Sequence, residues 1–295
     1  MPRTSSLSSS SRRNVAERPA EDTIVSVERA FEVVGMLADA ADGASLADVG
    51  RHLDVNKAIA LKLLATLERL GIVWHDDVAR RYNLTYRISN LGLRHLQKTR
   101  LLDQSAAVLK TLAEDTGELV RLAVVENGDR ITWVYAVSGA RRSLQIDPNY
   151  TLDAYLHTTA IGKSWLSTLP FETALKYMLR QGMKPMTKHT KTSINAIRAD
   201  LELTRKRGYA TSFEETELGV IAIAAPIMVR SLSGERECVG AVSLAAPTNR
   251  MSPRELVACS PQLLSTVDRL AQIWPLEPRT LRVLLNPRRT SSAET

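Results

Sequence analysis

From Ser45 to Gly71 the apolar positions fall in two helical rows separated by a polar break. Leu46, Val49 and Leu53 recur at i, i+3 and i+7 behind Ser45, an N-cap candidate with Asp48 three residues on. Asp54-Val55-Asn56 interrupts the row with turn and cap formers, and Ala60, Leu63, Leu64, Leu67 and Leu70 resume it until Gly71. The pattern predicts two short helices joined by a tight turn, the second about four turns long. With its apolar row buried, the second helix turns Lys57, Ala58, Leu61, Lys62, Ala65, Glu68 and Arg69 outward. Such a face fits a DNA major groove about 12 Å wide, where lysines reach phosphates or guanine edges. By spacing alone it fits an ordinary helical hairpin equally well.

The next stretch favours DNA. Ile72-Val73-Trp74 and Arg81-Tyr82-Asn83-Leu84 are strand-like runs around the polar tip His75 to Arg80. A hairpin directly after the second helix is the wing of a winged helix-turn-helix, with Arg80 and Arg81 beside the DNA backbone. Upstream, Ser26 is the expected cap of a first helix carrying Val27, Phe31, Val34 and Leu37 or Ala38 at helical spacing. Residues 1–22, with SSLSSSSRR, hold too little apolar surface to order themselves and are expected to form a flexible arm.

Beyond the wing, Leu91, Leu93, Leu96, Leu101, Leu102, Val108, Leu109 and Leu112 predict a helix over 88–116 that needs a partner surface. The period then changes to two. Leu119 to Val125 and Ile131 to Val137 flank Asn127-Gly128 and predict a hairpin, with a third strand near Leu144-Gln145-Ile146. Helices follow at about Ala160–Thr168, Phe171–Arg180 and Ser193–Gly208. Strands return at Tyr209–Phe213, Val220–Met228 and Cys238–Ala245, and a closing helix runs from Ser252 to Trp274. Strands first and last with helices between give an α+β domain. Residues 275–295, with Pro275, Pro278, Pro287 and Arg288-Arg289, read as a tail.

Several segments together, SVERAFEVVGMLA, LADVGRHLDVNKAIALKLLATLERLG, RRYNL, LHTTAIGK, GYATSFEETELGVIAIAAP and GAVSL, resemble in order and spacing the IclR-type transcriptional regulators, from about Val25 to Trp274. The resemblance implies a winged helix-turn-helix over 23–87, a linker helix over 88–116 that pairs two subunits, and a GAF-like effector-binding domain over 117–274. It implies a ligand-responsive regulator that binds a (pseudo)palindromic operator on double-stranded DNA as a homodimer or tetramer. A two-fold dimer sets two reading helices about one DNA turn apart. The expected DNA contacts are Ser45, Asn56, Lys57, Ala58, Leu61, Lys62, Arg69, Arg80 and Arg81.

The effector pocket is expected to draw on Trp133, Tyr155, Thr159, Ala160, Ile161, Ser212, Ala222, Ser243 and Ala245. Free N–H groups of Ala160 and Ile161 at a helix start suit a carboxylate, and Ser212 and Ser243 add hydroxyls. Thr158 and Thr159 also serve simply as helix caps. The chain departs from the family with Ala222 in place of a frequent cysteine, Ser212 in place of a frequent acid, Ala245 in place of a serine and Tyr155 in place of a proline. A less polar pocket with Trp133, Tyr135 and Tyr155 nearby favours an aromatic or bulky organic acid. On the reading helix Ala58, Ile59, Leu61 and Lys62 stand where small hydroxyl residues, histidine and arginine are frequent. Specificity then leans on methyl contacts to thymine, on Asn56 and Lys57, and on the wing.

Composition narrows the field further. The 295 residues suit two domains with tails, and 44% hydrophobic with 24% charged residues is a globular balance. The formal charge of +7 favours a polyanion. Yet Ile24 to Gly92 holds eight basic against nine acidic residues, so DNA binding needs the cations segregated on the second helix and wing. No run of 18 apolar residues predicts a membrane span, and no signal peptide is evident. Cys238 and Cys259 have no partners at ligand spacing, so no metal or cofactor is expected and a reducing bacterial cytoplasm is.

Two rivals remain. Gly162-Lys163-Ser164 matches the end of a phosphate-binding loop, but His157 stands where its first glycine belongs. The histidines lack nucleophile and carboxylate partners, and Glu214, Glu215 and Glu217 read as a solvated strand edge, so no catalytic residue is expected. The second rival, suggested by Ile59 and Leu61, is a ligand-binding module whose DNA binding has degenerated and which acts through protein partners.

Overall fold

The computed structural model describes residues 23–139, 155–230 and 234–275. It divides into two compact units, the boundary falling between Gly92 and Leu93. The arm over 1–22, the strand expected near Leu144-Gln145-Ile146 and nearly all of the tail lie outside the described residues.

The first unit opens with α1 (Val25–Asp39), whose buried residues are Val33 and Leu37. Here the sequence reading needs correction. The cap position is Ile24, Ser26 lies inside the helix, and Val27 and Phe31 are exposed. Leu37 is buried and Val34 packs on the core as expected, but Val33 takes the place of Val27 and Phe31, because α3 (Lys57–Arg69) and β2 (Arg81–Leu84) meet α1 on the Val33–Leu37 side.

Helix α2 (Leu46–His52) begins with a reciprocal cap. Asp48 N donates to Ser45 Oγ at 3.2 Å and Ser45 N donates to Asp48 Oδ2 at 3.0 Å. The Ser45 hydrogen bonds, followed by Arg51, hold the Asp48 carboxyl down to about 2. Asp54 turns the chain at φ 51, and Asn56 Oδ1 accepts from Ile59 N at 3.0 Å to start α3. The buried row of α3 is Ala60, Leu64 and Leu67; Leu70, expected inside, is the exposed C-cap.

The wing is β1 (Val73–Asp76) paired antiparallel with β2, Val73 opposite Leu84 and Asp76 opposite Arg81. Asp76 Oδ1 closes the tip by accepting from Val78 N and Ala79 N, each at 2.9 Å. Gly43 has a φ of 68, and a Cβ there would lie 2.4 Å from Tyr82 O, so only glycine lets this turn approach β2.

The predicted 88–116 helix is two helices, α4 (Arg87–Thr99) and α5 (Leu101–Thr116), broken where Arg100 takes φ 52. No residue of α4 is buried, whereas α5 buries Leu101, Val108, Leu109, Leu112 and Ala113.

The second unit is a five-stranded antiparallel sheet in the order β4-β3-β7-β6-β5. Its strands are β3 (Leu119–Glu126), β4 (Arg130–Ser138), β5 (Ala210–Phe213), β6 (Val220–Arg230) and β7 (Arg236–Pro247). One face packs Leu122, Ile221, Ile223, Val242 and Leu244 against α5, α9 (Pro253–Ala258) and α10 (Ser260–Ile273). The expected closing helix is thus two, because Pro261 in the first turn of α10 cannot continue the ladder from α9. The other face carries the smaller Ala123, Ala224 and Ala241 against α6 (Ala160–Leu166), with α7 (Phe171–Gln181) and α8 (Ile194–Arg207) behind. A bulge in the β3–β4 ladder separates the hairpin aromatics. Trp133 pairs with Ala123 on the α6 face, whereas Tyr135 pairs with Leu122 and joins the opposite core.

Candidate nucleic-acid interface and effector site

On the first unit, Lys57, Ala58, Leu61, Lys62, Ala65 and Arg69 are all exposed, with Ile59 at 38% and Leu61 at 47%. They share α3 with a buried row that fixes which side faces out. Arg80, exposed at φ 54, stands at the wing tip beside Val78. A groove lined by Ser45, Lys57, His75 and Arg80 runs between the α2–α3 turn and the wing.

Three of the expected contacts have structural work of their own. The Ser45 hydroxyl is committed to Asp48, from which it also accepts. Asn56 spends its carbonyl oxygen on the α3 cap, leaving its NH₂ group. Arg81 is half-buried and donates from Nη1 to Gly43 O at 2.8 Å, which ties the wing to the turn before α2.

On the second unit, strand register gathers the expected effector residues. Ser212 on β5 faces Ala222 on β6, which faces Ala245 on β7; Ala224 faces Ser243, which faces Arg121 on β3. Alternation sets all of these on the α6 face with Trp133. Thr159 caps α6, its Oγ1 accepting from Gly162 N at 3.1 Å and donating to Tyr155 O at 2.8 Å. Ala160 and Ile161 follow, buried, and their N–H groups meet no acceptor among the described residues. Ser212 Oγ donates to Thr158 O at 2.7 Å, so that hydroxyl has only lone pairs left to offer. Ser243 is buried on the same face, 4% exposed.

The sequence reading missed a buried cluster beside this face. Lys163 Nζ lies 2.8 Å from both Asp200 Oδ2 and Glu215 Oε1, and Lys191 Nζ reaches the same two oxygens at 2.8 and 3.1 Å. Glu215 is 3% exposed, so the acidic run 214–217 is not simply a solvated edge. All seven residues of α6 are buried, and the position of Lys163 three residues after Ala160 was the available signal. With both carboxylates upon it, Lys163 is not poised for a nucleotide phosphate. His157 is buried, Nε2 against Lys184 O at 3.1 Å and Nδ1 unpartnered. Burial holds its pKa below the ordinary 6.5, against the opposing pull of the Lys184 carbonyl and Glu215. Among the described residues no cluster of side chains has the composition of a metal site, and no helix is long and apolar enough to cross a membrane.

The comparisons with known proteins agree with this architecture. The IclR helix-turn-helix domain matches residues 26–77, and the bacterial transcriptional regulator IclR C-terminal domain matches 93–272. The chain is 32% identical to the glycerol operon regulatory protein of Streptomyces coelicolor, over 77% of this chain and 87% of that one. Its fold is similar to the crystal structure of an IclR regulator from Alicyclobacillus acidocaldarius, with TM-score 0.72 at 23% identity, covering 85% of this chain and 98% of the other. It is similar also to an IclR homologue from Microbacterium hydrocarbonoxydans solved with 4-hydroxybenzoate, with TM-score 0.66 at 17% identity, covering 84% and 99%. The two matched domains, in the order in which the two units follow along the chain, establish that this protein belongs to the IclR family of bacterial transcriptional regulators.

Proposed function

We propose that the protein binds a (pseudo)palindromic operator through α3 and the wing, and that an organic acid held on the α6 face of the second unit alters that binding. The observation that carries the DNA reading is the outward row Lys57, Ala58, Leu61 and Lys62, exposed on a helix whose opposite side is fully packed. Lysines meet phosphates or guanine edges, Ala58 and Leu61 meet thymine methyls, and Arg80 follows the backbone from the wing tip. Ser45, Asn56 and Arg81 hold the frame, and Arg69 at the end of α3 adds a peripheral phosphate contact.

Pairing of two chains is supported by α4, where Leu91 is 49% and Leu93 59% exposed and nothing is buried. A two-fold dimer, or a tetramer of two such dimers, brings two copies of α3 to half-sites about one helical turn apart.

The effector reading is supported by the buried, unpartnered N–H groups of Ala160 and Ile161, which an effector carboxylate satisfies. Thr159, Ser212, Ala222, Ser243 and Ala245 line the same face, and Trp133 and Tyr155 supply aromatic surface. The homologue holding 4-hydroxybenzoate makes an aromatic acid the first probe. The protein acts in the cytoplasm, with its DNA, and carries out no chemistry of its own.

A mobility-shift assay on the DNA upstream of its own gene, at physiological salt, tests the reading. Specific retardation that an added organic acid changes supports it; salt-sensitive smearing alone refutes operator recognition.

A further inference from the structure

Val78 sits in the connection between β1 and β2 and is 95% exposed, with Ala79 and Arg80 exposed after it. The turn beneath it is tied down. Asp76 Oδ1 accepts from both Val78 N and Ala79 N, and Asp77 Oδ1 accepts from His75 Nδ1 at 2.9 Å. The wing tip therefore presents an isopropyl group on a braced turn whose first N–H groups are already spent. Between this tip and the α2–α3 turn runs a groove in whose lining Arg51, Lys57 and Arg80 outnumber Asp54 and Asp77. An anionic strand suits that balance. In a duplex a single sugar-phosphate strand separates the major groove from the minor one. With α3 on one side of such a strand, the wing tip lies on the other, over the minor groove.

We propose that the groove takes one sugar-phosphate strand and that Val78 enters the adjacent minor groove, where it selects A·T over G·C pairs. The inference rests on the DNA reading above, with α3 in the major groove and Arg80 on the backbone. The minor groove is about 6 Å wide, room for one branched side chain on a tight turn. Its floor separates the two kinds of pair by one group, the guanine 2-amino donor, added to acceptors that every pair presents. The Val78 side chain has no acceptor for that amine, so an amine beneath it is crowded and loses its water without gaining a partner. With the tip N–H groups held by Asp76, discrimination comes from excluding the amine rather than from a bond to the shared acceptors. The wing thereby adds sequence information to a reading helix whose outward row includes the apolar Ala58 and Leu61.

The test is interference mapping with the full chain on the DNA upstream of its own gene. One set of fragments carries sparse 2,6-diaminopurine for adenine, which adds the 2-amino group to the minor groove and leaves the major-groove edge unchanged. A second set carries 7-deazaguanine for guanine and uracil for thymine, which alter only the major groove. For the wild type, diaminopurine at A·T positions beside the stretch marked by the second set is expected to be depleted about tenfold from the retarded fraction. Val78→Asn, whose carboxamide oxygen accepts from the amine, should lose that depletion, and Val78→Ala should reduce it. Major-groove interference should persist in both variants. At 95% exposure Val78 supports no packing, so neither substitution threatens the fold. Absence of diaminopurine interference in the wild type, or undiminished interference in Val78→Asn, overturns the inference and leaves operator recognition standing. A wild type that gives no specific retardation overturns both.

Discussion

Lys163 and Asp200 form an ion pair with Nζ and Oδ2 2.8 Å apart, the lysine side chain 1% exposed and the aspartate 8%. Glu215 and Lys191 complete a formally neutral set of four charges drawn from α6, α8, the β5–β6 connection and the α7–α8 connection. Charges this deep persist only when paired and hydrogen-bonded, so the cluster fixes where α6 sits on the sheet.

Removing one member should leave the others uncompensated. Lys163→Met is expected to destabilise the second unit by about 3 kcal/mol, the low end of the range for broken buried pairs, because Lys191 still reaches both carboxylates. Lys191→Met, whose side chain is 35% exposed, should cost about 1 kcal/mol or less. Urea unfolding of the two variants measures the difference, and equal costs would show that depth does not govern the cluster.

Acid should weaken the same unit in two stages. His157 is held below 6.5 chiefly by burial, so the unfolded chain takes up that proton first and stability falls as the pH drops from about 6.5 through the lowered folded value. Burial alone would raise Asp200, but Lys163 and Lys191 outweigh it and hold the carboxyl below 3.8. Its contribution is therefore present above 3.8 and lost as the pH falls through the lower folded value. Unfolding free energy measured against pH should show both stages, and His157→Gln should abolish the upper one alone.

Lys62→Ala should weaken operator binding by roughly 1–3 kcal/mol and relax one base position if the lysine meets a base edge. If it meets phosphate, the loss is uniform across sequences and the salt slope falls by about 1. Binding isotherms at several salt concentrations separate these outcomes, and unchanged affinity removes Lys62 from the interface.

Ser243→Ala should diminish the response to an acidic effector while leaving ligand-free DNA affinity intact, since Ser243 belongs to the second unit and alanine keeps its backbone pairing with β3 and β6. Gly162→Ala should act differently. Its Cβ would lie 2.6 Å from Leu156 Cα, and relieving that clash displaces the start of α6, so both stability and ligand response should fall. Thermal unfolding with and without ligand distinguishes the two variants.

Local pattern made the first unit readable from the chain alone. The Leu46–Val49–Leu53 row, the Asn56 cap, the Ala60–Leu64–Leu67 row and the two wing strands are consequences of side-chain spacing, and they emerge within a residue or two of expectation. Asn127-Gly128 marked the β3–β4 turn for the same reason, both residues adopting positive φ. Spacing was less informative where a row is ambiguous by one helical step, as with Phe31 against Val33. It was least informative where one left-handed residue, Arg100, breaks an otherwise continuous helical pattern.

What the sequence determined by itself is the succession of elements and, through it, the family, because hydrophobic period and caps act over a few residues. The tertiary structure alone decided which distant residues meet. Lys163 lies 37 positions from Asp200 and 52 from Glu215, and Arg121 faces Ser243 across more than a hundred residues. Such pairings follow from strand order, register, bulges and the seating of helices on the sheet, which are settled by how whole faces pack and leave no mark on any short stretch of the chain.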